Sequence, residues 1–368
     1  MLRMPEGAAG RLVSGVLVAL GGWAFVKLTD TGDAVSQPWY LHTVTALLAI
    51  GLYGSAYGIS RGMVRRDVRT VVLAVTVGVL LKVLLISAVM FLFFAEPVSL
   101  LLGLAVAQID PLSVGAMMAR SRMSARGKSI LLAWASFDDP ITALLTVYLS
   151  SLVLTGTAPG GGALAYLGNL GLNLLFAGVV LAGWRLALRF KDRLNPRLVK
   201  AAALVVLAGL MAFAVWQVLL LGVALIGLFY RPGIAGLLDR TLAAAFYLAT
   251  FALGMLLVGG VDLGRAAVLG LAAFAAQMVI GGLVIARGLP ATDRVRLALG
   301  QQNGITAILL ALALVPAYPE AVAVIAPAVL IVNILHVVAN GLWNRTERTR
   351  FPDLTSESSP SPIGRPVS

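Results

Sequence analysis

Long apolar runs, separated by short polar or Gly/Pro interruptions, recur along the whole chain. A helix that crosses the hydrocarbon needs roughly 20 mostly apolar residues, and no stretch alternates with the period of two that marks a half-buried strand. Lipid offers a backbone group no partner outside its own segment, so the pattern predicts an all-α polytopic bundle. Twelve transmembrane spans are expected, at 11 to 28, 38 to 58, 70 to 94, 97 to 119, 128 to 154, 163 to 188, 199 to 213, 215 to 230, 241 to 260, 264 to 286, 295 to 315 and 320 to 343. The seventh and eighth share one apolar stretch of 32 residues, where "GLMAFAVWQ" is only a faint turn signal.

Composition agrees with that pattern: 60% of the 368 residues are hydrophobic and 12% charged, more apolar surface than a soluble core absorbs. Charge placement then separates the seventh span from the eighth, because lysine and arginine gather in short cytoplasmic loops. With the split, one side carries Arg61, Arg65, Arg66 and Arg69, then Arg120, Arg122, Arg126 and Lys128, then Arg185, Arg189, Lys191, Arg193, Arg197 and Lys200. Arg231 and Arg240, then Arg287, Arg294 and Arg296, then Arg345, Arg348 and Arg350 continue the series. The other side holds Lys27 and Arg265 against Asp30, Asp33, Glu96, Asp262 and Glu320. Both termini are therefore expected in the cytoplasm, in a bacterial-type inner or plasma membrane.

The formal charge of +12 follows from this topology. Basic residues spread over every second loop, without aromatic interleaving, do not form a nucleic-acid surface; contact with anionic lipid headgroups is a secondary expectation. The first span has no small-residue cleavage site and is expected to stay as a helix. Zero cysteines exclude disulfides and thiol chemistry. The membrane domain is read as residues 1–344 and the rest, 345–368, as a short Pro/Ser-rich disordered cytoplasmic tail.

Almost every ionisable residue falls in a loop; the exceptions are Lys82, Asp110, Asp138 and Asp139. A charged side chain near mid-membrane costs roughly 2.5 to 3.5 kcal/mol on insertion scales, and such residues usually mark an ion or substrate path. In the fourth span Pro111 lacks an amide hydrogen and clashes with the preceding turn, so the helix should unwind around Gln108, Ile109 and Asp110. Freed carbonyls beside Asp110 would make an oxygen-rich cation site. Asp138 and Asp139, in "SFDDP" with Ser136, point about 100° apart on a helix and must do different jobs. Asp139 is expected to face a cation cavity with Asp110, and Asp138 to pair with a basic or amide group on another helix. Two adjacent carboxylates in low dielectric repel and titrate as a coupled unit, so a cation and protons become alternative ways of neutralising them.

The eleventh span is interrupted near its centre by Gly300, Gln301, Gln302, Asn303 and Gly304. Two discontinuous helices in corresponding places are what inverted-repeat transporters show at their midplane sites, so spans four and eleven are expected to cross at their breaks. Lys82 could be the counter-ion of Asp138 or a snorkelling side chain. Gln277, Asn333 and His336 are read as interhelical hydrogen-bonding groups. His336 and His42 form no metal constellation.

These residues resemble the monovalent cation/proton antiporter superfamily, the membrane domain of bacterial sodium/proton exchangers. "AQIDPLSVGAMM" is similar to the family's Thr-Asp-Pro unwound helix, and "SFDDP", about 28 residues later, to its Asp-Asp helix. "FYLATFALGMLLVGGVDL" is similar to an aromatic-Gly-Met pattern of the ninth span, and the likeness covers roughly residues 11 to 344. It implies a core domain moving against a dimerising domain in a homodimer, with Asp139 as main cation and proton carboxylate, Asp110 assisting, and no cofactor. The chain departs from the pattern in three places. Ile109 stands where a threonine is usual, Gln277 where many members carry a lysine or arginine, and Pro140 follows the acid pair directly.

The function expected is therefore exchange of a monovalent cation, sodium above all, for protons. A sodium-coupled symporter of an organic anion on the same fold is the alternative, and a non-transporting membrane scaffold or sensor a third. No nucleophile and base set, metal ligands or nucleotide loop points to an enzyme.

Overall fold

The computed structural model describes residues 8–29, 37–58, 68–119, 121–155, 163–190, 195–300 and 302–350. Arg61, Arg65, Arg66, Arg120, Lys191, Arg193, Asp30, Asp33, Gln301 and the tail from residue 351 lie outside them. The helices are α1 Ala8–Thr29, α2 Pro38–Tyr57, α3 Val68–Leu73, α4 Val79–Phe94, α5 Ser99–Val106, α6 Pro111–Ala119, α7 Ala125–Thr155 and α8 Ala163–Phe190. They continue with α9 Pro196–Trp216, α10 Leu220–Phe229, α11 Ala235–Leu256, α12 Leu263–Val279, α13 Ala291–Ala298, α14 Ile305–Leu314 and α15 Ala321–Arg350. A π-helical segment, Ala74–Gly78, joins α3 to α4, and another, Ile280–Ile285, follows α12.

Each of the twelve apolar stretches corresponds to helix, and among the described residues no strand forms. Among the described residues, seven helical stretches are long and apolar enough to cross a membrane, and two shorter apolar helices, Leu220–Phe229 and Ile305–Leu314, accompany them. The smaller number has physical causes. Spans four and eleven are cut into halves too short to cross alone, α10 is short, α7 carries Arg126, Lys128 and the acid pair, and α2 is diluted by His42, two threonines and three tyrosines. The molecule is an integral membrane protein whose lipid-sized outer surface is apolar, with Leu28 and Leu92 more than four-fifths exposed.

Between spans seven and eight the helix runs through Trp216, a few residues beyond the expected turn. Leu219 N–H then donates to Ala214 O at 2.7 Å and Val218 N–H to Val215 O at 3.3 Å, the paired bonds of a Schellman stop. Val218 takes the left-handed position with φ 54°, where glycine is usual. A β-branched residue there leaves almost no sequence signal. At the C-terminus α15 continues through Arg350, so the first six residues assigned to the tail, 345–350, are helical.

Packing positions the site. Helix α12 lies along α15, α10 along α2, and α1 along α11. The last pair is very close: a Cβ at Gly254 would sit 1.9 Å from Ala19 O, and one at Gly22 2.1 Å from Phe251 O. Polar clusters tie the two ends of the bundle. At one, Arg265 bridges Glu96 (2.5 Å), Glu320 (2.7 Å) and Asp262 (3.6 Å). At the other, Asp293 accepts from Ser124 N–H at 2.9 Å and from the Ser124 hydroxyl, while Arg296 pairs with Glu347 and donates to Asn344 at 2.7 Å. Loops assigned to one side of the membrane thus meet one another.

Candidate functional site

The first break runs over residues 107–110 between α5 and α6. Pro111 opens α6, where its missing amide hydrogen costs nothing. Asp110 caps the new helix, accepting from Ser113 N–H at 3.1 Å and from the Ser113 hydroxyl. The second break lies between α13 and α14. Asn303 there adopts φ 59°, tolerable for an asparagine. The two interruptions meet: Ile109 and Gln302 form an isolated antiparallel bridge, and Asn303 N–H donates to Gln108 O at 3.2 Å. Gly304 lets the breaks approach, because a Cβ there would come within 2.8 Å of Asp110 Oδ1.

Helix α7 crosses behind this junction without a break, passing straight through Pro140. The proline removes the bond to Ser136 O, but neighbouring hydroxyls bind backbone instead, with Thr142 donating to Asp138 O at 2.9 Å and Asp139 O at 3.1 Å. Asp138 and Asp139 then part company. Asp138 Oδ2 accepts from Lys82 Nζ at 2.9 Å and from Ile109 N–H, in the first break, at 3.1 Å. Lys82 also donates to Gln277 Oε1 at 3.2 Å and lies 5.0 Å from the centre of the Trp134 ring. Lys82, Asp138, Gln277 and Trp134 are all fully buried. Of the two readings of Lys82, the geometry takes the counter-ion: the base comes from span three, and the glutamine in span ten holds it.

Asp139 turns away from that pair. Its Oδ2 accepts from Ser55 on α2 at 3.0 Å, it lies within electrostatic reach of Asp110, and it makes no ion pair among the described residues. The Thr306 hydroxyl, on the first turn of α14, sits beside Asp139, outside ordinary hydrogen-bond geometry. Among the described residues no three acids or histidines gather as a metal cluster. A cation between Asp139 and Asp110 therefore needs further oxygens from hydroxyls and freed carbonyls.

Other expected residues fall in different places. Ser136 turns onto its own helix, bonding Leu132 O at 2.8 Å. Gln277 also donates to Leu297 O at 2.9 Å, tying span ten to α13. Gln302 pairs with His336 Nε2 at 3.1 Å, and Asn333 donates to Asn303 O at 3.4 Å. Gln108 Oε1, Asn303 Oδ1 and Nδ2, and Thr306 Oγ1 are buried with no hydrogen-bond partner among the described residues. A cavity of about 540 Å³ reaches Asp110, Ser113, Asn303 and Gly304, but Asp139 does not line it. Asp139 approaches Ser55 on α2 and Thr306 on α14, with Asp110 within electrostatic reach. Ser55, Ser113, Thr306 and Trp134 were not singled out in the sequence, where hydroxyls and aromatics in apolar helices look like ordinary packing residues.

No protein-family model matches the chain, and no curated protein matches it. Among solved structures, that of the sodium proton antiporter MjNhaP1 from Methanocaldococcus jannaschii at pH 8 superposes with a TM-score of 0.63 at 15% sequence identity, covering 91% of this chain and 98% of that one. An electron-microscopy structure of the same antiporter gives a TM-score of 0.61 at 19% identity, over 94% of this chain and 92% of the other. At such identities the likeness is one of fold.

Proposed function

We propose, from a fold shared with a sodium proton antiporter and from the buried acids at its broken helices, that this protein is a secondary antiporter exchanging a monovalent cation, sodium first, for protons. The observation that carries the reading is Asp139: a buried carboxylate with no ion-pair partner among the described residues, close to Asp110, where two interrupted helices meet. A buried carboxylate without a counter-ion demands neutralisation. A proton supplies it, and so does a bare cation, and each excludes the other. The chemistry involves no covalent step, which makes the protein a transporter rather than an enzyme. Ser55 and Thr306 hydroxyls and the freed carbonyls near Ile109 supply neutral ligands. Alternating access then follows from moving the helices that carry the acids against those around α1, in a homodimer with both termini in the cytoplasm. An organic-anion substrate fits this site poorly, since the cavity over Asp110 has a carboxylate in its floor and neither lysine nor arginine among its described lining residues.

The test is sodium-driven proton flux in proteoliposomes. Asp139→Asn should abolish it while the protein stays folded; full exchange by that variant would sink the assignment. In the wild type, acidification should raise the half-saturating sodium concentration and leave the maximal rate unchanged, as competition for one site requires.

A further inference from the structure

Helix α15 carries a polar stripe. Asn333, His336, Asn340, Asn344 and Glu347 follow one another at spacings of three and four, which puts them on one face of the helix. Each meets a residue of the segment that leads from α13 into the second break, and the order runs antiparallel. Glu347 pairs with Arg296, and Asn344 accepts from the same guanidinium at 2.7 Å. Asn340 then donates to Leu299 O at 3.0 Å, His336 Nε2 lies 3.1 Å from Gln302 Oε1, and Asn333 donates to Asn303 O at 3.4 Å. Arg296 belongs to α13, which holds its own shape by helical hydrogen bonds. From Leu299 onward the chain leaves that ladder, so its path depends on partners from elsewhere.

Gln302 is gripped from both sides. Its backbone bridges Ile109 in the first break, and its side-chain carbonyl faces the imidazole of His336. A carbonyl oxygen only accepts, which assigns the ring hydrogen to Nε2 and makes His336 the donor. Both side chains are fully buried, and the Phe274 ring on α12 stands across the imidazole at 71°, with centroids 4.9 Å apart. Just beyond Gln302, Gly304 packs on Asp110 and Thr306 lies beside Asp139. The path of the break therefore sets where freed carbonyls and the threonine hydroxyl stand relative to both acids.

We propose that His336 and Asn340 are positioning residues for the second break, and that they set affinity for the cation while leaving affinity for the proton unchanged. This deepens the exchanger reading and rests on it. The asymmetry is chemical. A proton is held in one O–H bond by a single carboxylate oxygen, wherever the other oxygens stand. A bare alkali cation must exchange its water shell for several oxygens at once, so it senses a displaced break. Both side chains act through the backbone they hold, Asn340 at Leu299 and His336 at Gln302.

The experiment is sodium-induced thermal stabilisation of the full chain in nanodiscs, titrated at a series of pH values. When cation and proton compete for one acid, the half-saturating sodium concentration has an alkaline limit, which reports the cation's own affinity. The pH at which that concentration has doubled reports the proton's. His336→Leu, which removes the donor, should raise the alkaline limit about fivefold, the scale of one ordinary hydrogen bond, and leave the doubling pH in place. His336→Gln, whose amide N–H can serve the same carbonyl, should recover most of the affinity. Asn340→Ser, which withdraws the donor from Leu299 O, should repeat the pattern and covers the case in which leucine prevents folding. Glu347→Gln, at the end of the stripe that grips α13, should leave both quantities unchanged. An unmoved alkaline limit in the His336→Leu and Asn340→Ser variants overturns the proposal and makes the stripe a packing device. A doubling pH that moves with the limit also overturns it, because the stripe would then act through charge. A wild type that sodium does not stabilise in competition with protons sinks the exchanger reading itself. Normal competition in the wild type with unshifted variants removes only the role given to α15.

Discussion

Asp138 and Asp139 are neighbours on α7 and both are buried, but their surroundings are opposite in kind. Asp138 is ion-paired through one oxygen, its Oδ2 taking Lys82 and Ile109 N–H, with Gln277 and the Trp134 ring behind the lysine. Asp139 has a serine hydroxyl, an unpaired threonine hydroxyl and a second acid within reach. A helix turn of about 100° per residue is what lets one dipeptide serve both environments. Under the proposed exchange the two acids divide the work: the one paired with Lys82 fixes the geometry of the first break, so that its neighbour can remain without a counter-ion. Asp138 is in this view a positioning residue and Asp139 the exchanging one.

The largest expected effect follows from that division. Asp139→Asn should stop cation-driven proton movement and leave the unfolding temperature unchanged or raised, because it removes a buried charge that has no counter-ion. Lys82→Ala comes next and acts on the other property. It strands Asp138 in an apolar interior, and breaking a buried pair from one side costs about 3 to 5 kcal/mol. Thermal unfolding in detergent should show the loss, and adding Asp138→Asn should restore much of it, since the stranded charge is then gone. If the double variant is no more stable than Lys82→Ala, the pair is not the local support described here. Electrical recordings on the double variant also bear on the number of protons moved per cation.

A smaller effect is expected at Thr306. In the chain it looks like any hydroxyl of an apolar helix, but its position beside Asp139, outside hydrogen-bond geometry, makes it a neutral ligand under the proposed exchange. Thr306→Val, which keeps the shape and removes the oxygen, should raise the half-saturating cation concentration severalfold with little change in maximal rate; Thr306→Ser should behave as wild type. Equal behaviour of the two variants would make Thr306 a packing residue.

What the chain revealed in advance, and what it did not, divides along a physical line. Local rules were legible. Pro111 after Asp110 and the Gly300 to Gly304 cluster announced both breaks, and apolar run length placed the helices. Side-chain partners across helices were not, because they depend on rotation about each helix axis, which one sequence with smooth apolar periodicity does not fix. Lys82 could be named as a stray charge, yet only packing could place its ammonium on Asp138 with Gln277 behind it. The same limit hid the cavity over Asp110: its floor residues lie on two breaks, and its walls on α1, α11 and α15, far apart in the chain.

The least change in exchange is expected at another buried ion pair. Arg296 and Glu347 join α13 to the end of α15, with Asn344 as a second acceptor for the arginine. Like Lys82 and Asp138 they are almost wholly buried, but they touch neither break nor exchanging acid. Glu347→Gln keeps an oxygen for the guanidinium and leaves Asn344 in place, so the expected loss is about 1.5 to 3 kcal/mol, the scale of a hydrogen bond to a charged group. Unfolding should shift less than for Lys82→Ala, and sodium affinity not at all. A change in cation affinity from Glu347→Gln comparable to that from Thr306→Val would mean that the exchanging acid senses charge along the whole bundle, and the sharp division between a compensated Asp138 and an uncompensated Asp139 would lose its explanatory force.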